Sequence, residues 1–490
     1  MPSYHEYLRP YLAADGRLND FLRVRNGRII FADTLDLLEL AHQYGTPLEV
    51  SFCPLITRRV RAMHTYFAAA RAQTGYRGGF VYAYATKANF AAEVVQTALA
   101  AGAHYETSSA FDVRIAQTLW QSGILPSERF VFCNGSKEQP YIDAILELRQ
   151  AGFTNVVPIL DDPAEFEALV GCSEPLLLGV RERKDPGDLA EGITYGYDRF
   201  GMLPSELERL AVRVAQTHHR IILYHAMVGS QLEDPAHWIG EVIESLEGYA
   251  RLRAHAPAMD YFNFGGGMPT GAYRLDFAFD YAAFARQVFQ AVGARCDVQG
   301  IPHPHLVGEF GRYTVADHGV HIFRVGRIKQ GHPGMPPWYL VDGSLMVALP
   351  DILIVKGQSF IVLPLTHLDA EAGPVMLGGR RTCDSDDFYP RPGAPPLVLP
   401  LVGVDRDRHG EAVAPVDRPT LSIAANAAPL LIAFFGTGAY QAMLAGEGGA
   451  HHCLAPEAPK LIVEEQDGAL RTRVIGEQSW ADVLGELGYR

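Results

Sequence analysis

A (β/α)8 barrel joined to a second, all-β domain is the architecture this 490-residue chain predicts, and three observations predict it. Between residues 79 and 312 one pattern recurs: a short β-rich apolar run, a polar or glycine-bearing turn, then an amphipathic stretch. The run can be counted eight times, and eight alternating strand–helix units close naturally as a barrel of parallel strands. After Arg312 the texture changes to strand-like runs separated by turns, mostly without a helical period between them. An open doubly wound sheet is the competing architecture for the first part.

In chain order, the predicted barrel strands are Gly79–Ala85, Ala103–Glu106, Arg129–Cys133, Asn155–Leu160, Pro175–Val180, Ile221–Met227, Tyr261–Phe264 and His305–Gly308. Apolar residues recurring at three and four predict helices between them, as in Ala91–Ala101, Ala110–Trp120 and Tyr141–Ala151. The expected domains are residues 51–315 for the barrel, and 1–50 with 316–490 for the β-rich domain. Strands of the latter are expected at Gly319–Val325, Trp338–Val341, Ser359–Pro364, Pro374–Leu377, Leu430–Phe435 and Lys460–Glu465. Pro390–Pro419, rich in Pro, Gly and Asp, reads as a surface excursion, and Trp480–Leu487 as a short terminal helix.

Hydrophobic residues at 48% and charged residues at 20% describe an ordinary globular protein. A formal charge of −14 argues against a nucleic-acid or anionic-membrane partner and mildly favours a small cationic substrate. No apolar run reaches membrane-spanning length. Met1–Asp20, interrupted by His, Glu, Arg and Asp, does not read as a secretory leader, so the expected location is the cytoplasm. Six cysteines without a CxxC pair indicate neither a disulfide framework nor a zinc site.

Lys87, Glu106, Asn134, His225, Gly265-Gly266-Gly267 and Glu309 all fall at or just past predicted C-terminal strand ends, the catalytic face of this fold. Lys87 closes a run that reads as a buried strand, where burial would lower its pKa toward the nucleophilic free amine. The triple glycine follows the seventh strand and is either a phosphate-binding turn or simply a tight turn. It does not fit the dinucleotide fingerprint. His451-His452-Cys453 carries three metal-capable groups, but adjacent residues alternate direction, and the run reads as a surface turn. Asp384, Asp386 and Asp387 could be imagined as a magnesium site, but a solvated loop explains Asp386 and Asp387 equally well. No metal site is expected.

These motifs, in this order, resemble the fold-type III pyridoxal-phosphate decarboxylases, which include the diaminopimelate, ornithine and biosynthetic arginine decarboxylases. The resemblance runs from Tyr44-Gly45-Thr46-Pro47 to Gly438-Ala439-Tyr440-Gln441 and implies a barrel plus a β-rich domain built from both chain ends. It implies pyridoxal phosphate as cofactor, with Lys87 holding it as a Schiff base and Gly265, Gly266 and Gly267 at its phosphate. Ser230 belongs to the same cofactor-binding set, and Tyr440 is similar to a tyrosine that also reaches the phosphate. Glu309 matches the carboxylate facing the pyridine nitrogen, with Arg312 in the accompanying Gly-Arg pair. Cys383 resembles the cysteine that crosses a dimer interface and protonates the reacting carbon, which implies a homodimer with sites at the interface. Asp384 resembles the residue that reads the far end of the substrate.

Asp384 favours a guanidinium or ammonium there. Ser344–Asp351, Val362–Leu365 and Cys133–Lys137 are similar to biosynthetic arginine decarboxylases, whereas Lys87-Ala88-Asn89 is similar to the diaminopimelate group. The expected reaction is decarboxylation of a basic L-amino acid, arginine to agmatine first, with ornithine, lysine or diaminopimelate behind it. Arg380 or Arg381, turned inward, would suit a distal carboxylate instead. One departure stands out in Tyr224–Gln231. Met227 occupies the place of a histidine that stacks on the cofactor ring, and a thioether packs there without offering a hydrogen bond. His225, expected two residues earlier in the same strand, would share that face and compensate in part. A racemase-like or non-catalytic, partner-binding relative is the reading from another class.

Overall fold

The computed structural model describes residues 1–184, 199–332, 334–379, 385–402 and 428–489. Two compact units divide the chain: Ile56–Pro269 with Phe279–Thr314, and Met1–Leu55 with Thr270–Ala278 and Val315–Arg490.

The first unit is a closed barrel of parallel strands: β1 (Phe80–Ala85), β2 (His104–Thr107), β3 (Val131–Cys133), β4 (Val156–Leu160), β5 (Leu177–Arg181), β6 (Arg220–His225), β7 (Tyr261–Asn263) and β8 (His305–Glu309). Strand β8 pairs in parallel with β1, Glu309 against Ala83, and closes the ring. These are nearly continuous apolar runs, as strands covered on both faces must be. Ala83, Phe132, Val157, Ile159, Leu223 and Val307 fill the barrel interior. Local chemistry sets the helix starts. Ser109 caps Ala110–Gln121, and Asp234, followed by Pro235, caps Pro235–Arg253. Tyr281–Gln299 starts at Asp280 and stops at Gly300, whose φ of 66° is the left-handed conformation glycine adopts freely.

The predicted strands therefore stand, with shifts at their ends. The one that bears on the site is at β6, which stops at His225 rather than running on to Met227. Met227 thus lies in the loop that follows, and strand alternation does not relate it to His225.

In the second unit, among the described residues, a nine-stranded sheet takes strands from both chain ends. Leu48–Phe52 lies between Gly319–Lys329, antiparallel, and Lys460–Gln466, parallel. Leu431–Phe435 pairs with Gly319–Lys329 and with Ile361–Pro364. Tyr4, Leu8, Phe21 and Phe31 share a core with Val320, Phe434 and Leu461, so the N-terminal segment is part of this unit. Thr270–Ala278 also belongs here, and Thr270 Oγ1 donates to Asp317 Oδ1 at 3.0 Å. The expected terminal helix is present as Trp480–Glu486, capped by Ser479. Much of the expected Pro390–Pro419 excursion lies outside the described residues.

Candidate active site

Polar side chains gather where the barrel strands end. Asn134, just past β3, is buried and its amide reaches two carboxylates. Nδ2 donates to Glu106 Oε1 at 2.8 Å and to both oxygens of Glu309 at 3.0 Å. Asn263, fully buried at the end of β7, donates from Nδ2 to Glu309 Oε1 at 2.6 Å. Its own Oδ1 accepts from Gly265 N at 2.8 Å, so one side chain ties the Glu309 carboxylate to the glycine turn. His225 Nε2 lies 3.6 Å from Glu309 Oε2.

Burial dominates the electrostatics. It pushes the Glu106 carboxyl up to about 8, the Glu309 charge adds to the rise, and Lys87 and the Asn134 hydrogen bond oppose it. Two carboxylates sharing one amide in a low-dielectric site do not both ionise easily, and Glu106 is the member that takes the proton. Burial lowers His225 to about 4 against the pull of Glu309, so its imidazole is neutral near pH 7.

Lys87 sits in the single 3-10 turn Thr86–Ala88 that follows β1. Thr86 Oγ1 anchors that turn to Glu106 O at 2.9 Å. Lys87 is exposed, which corrects the expectation of a buried amine. Its strand ends two residues earlier, and the turn carries the side chain out of the wall. It remains within electrostatic reach of Glu106 and His225.

Gly265 and Gly267 adopt φ of 72° and 98°, which a side chain would strain. A Cβ on Gly265 would lie 2.7 Å from Met227 Sδ, and one on Gly267 would lie 3.0 Å from Gly229 O. The turn is thus a cradle of bare backbone, with the Met227 thioether against it. Ser230 is exposed in the same loop, and Arg312 opens the short helix Arg312–Val315. Tyr440 lies in the β-rich unit, in left-handed conformation (φ 68°) at the start of Gln441–Ala445. Arg380, Arg381, Cys383 and Asp384 fall outside the described residues.

The sequence reading missed Asn263. A second buried network was missed as well. Lys137 Nζ pairs with Glu165 Oε2 at 3.0 Å and donates to Gly135 O at 2.7 Å and to Ile159 O. Arg181, at the end of β5, lies with its guanidinium 4.6 Å from the Phe200 ring centroid. Among the described residues no group of His, Cys, Asp and Glu is placed to hold a metal ion.

The donor set fits a polar ligand. Both ring nitrogens of His225, Glu106 Oε2 and Asn134 Oδ1 are buried without a hydrogen-bond partner among the described residues. A bare glycine turn suits a phosphate, an exposed amine suits an aldehyde, and a buried carboxylate suits a protonated ring nitrogen.

Comparison with known proteins converges on the same chemistry. Residues 56–316 match the family described as pyridoxal-dependent decarboxylase, pyridoxal binding domain. Among curated proteins, the biosynthetic arginine decarboxylase of Synechococcus sp. (strain RCC307) is 26% identical over 362 residues, covering 69% of this chain and 55% of that protein. The biosynthetic arginine decarboxylase of Yersinia pestis is 25% identical over 316 residues, covering 62% and 48%. The chain thus spans about half the length of the curated relatives it matches. The fold is shared with the biosynthetic arginine decarboxylase of Campylobacter jejuni (TM-score 0.76, 18% identity, 100% of this chain and 91% of that one). It is shared equally with diaminopimelate decarboxylase of M. jannaschii (TM-score 0.75, 19% identity, 96% and 98%).

Proposed function

Because the chain belongs to the pyridoxal-dependent decarboxylase family, with pyridoxal phosphate as its cofactor, we propose that it removes carbon dioxide from a basic L-amino acid, arginine before ornithine, lysine or diaminopimelate. The observation that carries this reading is the buried chain Glu106–Asn134–Glu309–Asn263–Gly265, which joins a carboxylate to a bare glycine turn. The cofactor, when bound, supplies the electron sink that a departing carboxyl group requires.

The residues divide the work. Lys87 holds the cofactor through its amine. Gly265, Gly266 and Gly267 would present backbone to the phosphate, assisted by Ser230 and Arg312. Glu309, fixed by two asparagine amides, keeps the pyridine nitrogen protonated, and the proton on Glu106 spares the site a second buried charge. Met227, whose thioether lies against the glycine turn, would offer the cofactor apolar contact and no hydrogen bond. His225, neutral, offers the site a donor and an acceptor. Cys383 would supply the proton that takes the place of the departing carbon dioxide, acting across a homodimer interface. Asp384 pairs with the distal cation of the substrate. The cytoplasm is the proposed location.

Arginine is placed first because relatives at about a quarter identity are arginine decarboxylases and because Asp384 suits a guanidinium. Diaminopimelate is the second reading, and Arg381 would be its specificity group. The test is carbon dioxide release by the pyridoxal-phosphate-loaded protein from L-arginine, L-ornithine, L-lysine and meso-diaminopimelate. Release from arginine well above the others is expected. Release from diaminopimelate alone transfers the specificity role to Arg381, and release from none sinks the proposal.

A further inference from the structure

A cleft of about 320 Å³ opens wholly within the β-rich unit, lined by the aromatic rings of Tyr4, Tyr7, Tyr11, Tyr273, Phe360 and Tyr389. Pro395 and Pro396 extend the same lining. Small-molecule sites span about 300–1,000 Å³ and are mostly apolar with a few polar groups, and this cleft has both properties. Three of the tyrosines come from one stretch of chain. The helix Tyr4–Leu8, capped by Ser3, runs on as the 3-10 turn Arg9–Tyr11, and spacings of three and four set Tyr4, Tyr7 and Tyr11 along one side. The Tyr4 and Tyr7 ring centroids stand 5.4 Å apart. Tyr4 N donates to Ala370 O at 2.8 Å and His5 N to Leu368 O at 2.9 Å, which ties the helix down.

The hydroxyls differ in their partners. Tyr389 Oη accepts from Phe360 N at 3.0 Å. Tyr4 is 1% exposed, yet its hydroxyl makes no hydrogen bond among the described residues. Burial, and then the phenols of Tyr7 and Tyr11, hold its pKa well above the usual value, so it stays a neutral O–H. A buried phenol ordinarily has a partner, and the cleft that Tyr4 lines is where one can enter. Arg274 Nε lies 3.5 Å from Asp276 Oδ1, and these two cleft-lining charges offset each other. The cleft therefore selects neither an anion nor a cation.

We propose that this cleft binds a neutral, planar aromatic molecule bearing a carbonyl or hydroxyl oxygen, with its ring against the tyrosine and proline side chains and its oxygen accepting from Tyr4 Oη. A flat ring gains offset and edge-on contacts with tyrosines that a saturated molecule of equal area does not. The inference goes beyond the decarboxylase reading and does not rest on it.

The test is a titration by ligand-observed saturation-transfer NMR on the cofactor-loaded protein. Coumarin is the probe, and octahydrocoumarin, which keeps the lactone but loses the flat ring, is its counterpart. Coumarin is expected to bind roughly three- to tenfold more tightly than octahydrocoumarin. Tyr4→Phe removes only a hydroxyl that no protein group holds. It is expected to keep the melting temperature and to weaken coumarin about three- to tenfold. Tyr11→Ala removes an exposed ring and is expected to weaken coumarin about threefold or more. If Tyr4→Phe fails to fold, Tyr11→Ala decides alone. The proposal is overturned by no coumarin binding, by octahydrocoumarin binding equally well, or by coumarin affinity unchanged in either folded variant.

Discussion

Asn263→Ala cuts the link between the Glu309 carboxylate and the glycine turn, and its effect can be worked from two distances. The substitution removes a donor at 2.6 Å from Glu309 Oε1 and an acceptor at 2.8 Å from Gly265 N. A hydrogen bond to a charged group contributes about 1.5–3 kcal/mol, and a buried amide left unsatisfied costs about 1–3 kcal/mol. Water entering the vacated space recovers part of this, leaving a net loss of about 3 kcal/mol. For a domain of the barrel's size, roughly 2–4 °C of melting temperature correspond to each kcal/mol. The barrel transition of cofactor-free protein, followed by circular dichroism, is therefore expected to fall by roughly 6–12 °C. Asn263→Asp keeps the acceptor for Gly265 N but sets a second carboxylate against Glu309. Its melting temperature is expected to fall further as pH rises from 5 to 8. A drop under about 2 °C in Asn263→Ala would refute the reasoning, because it would mean that the asparagine is not holding either group.

Two further expectations concern the same site. Gly265→Ala puts a Cβ 2.7 Å from Met227 Sδ at a backbone φ of 72°. The thioether can move but the backbone strain stays, at about 1–2 kcal/mol. Cofactor affinity, read by titrating absorbance, is expected to weaken several-fold, and unchanged affinity would remove the turn from the cofactor site. The pH dependence of stability has two limbs. Glu106 has a folded pKa raised from 4.5 to about 8, so the folded state holds a proton that the unfolded state has released. Stability is complete below the unfolded value and is lost as pH rises through about 8, by roughly 2 kcal/mol between pH 6.5 and 8. His225 has a folded pKa lowered from 6.5 to about 4, so its contribution is present above pH 6.5 and lost as pH falls through 4. Urea unfolding of cofactor-free protein across pH 4–8.5 checks both limbs. Glu106→Gln is expected to flatten the alkaline limb, and an unchanged slope in that variant would count against the assignment.

The barrel was legible because parallel strands covered on both faces must be apolar, and apolar runs of strand length are what a sequence shows best. The same rule misled at Ala226-Met227. These residues are apolar because the loop packs over the glycine turn, not because the strand continues. Ala469–Ile475 went unseen for the opposite reason. It is exposed along its whole length, and Arg471 and Arg473 break up its apolar residues. Asn263 could have been flagged as an amide inside the apolar run Tyr261–Phe264, but its partner Glu309 is 46 residues away, and only folding brings the two together. Exposure of Lys87 was likewise invisible, since it depends on a strand ending at Ala85 and on one turn of 3-10 helix. The excursion Thr270–Ala278 leaves no mark in sequence, because membership of a unit is a matter of contacts.

Reduction of the cofactor-loaded protein with borohydride, followed by peptide mapping, addresses the central claim most directly. The account predicts stable pyridoxyl label on Lys87 and loss of both label and visible cofactor absorbance in Lys87→Ala. Label on another lysine such as Lys137, or absorbance unchanged in Lys87→Ala, would contradict it.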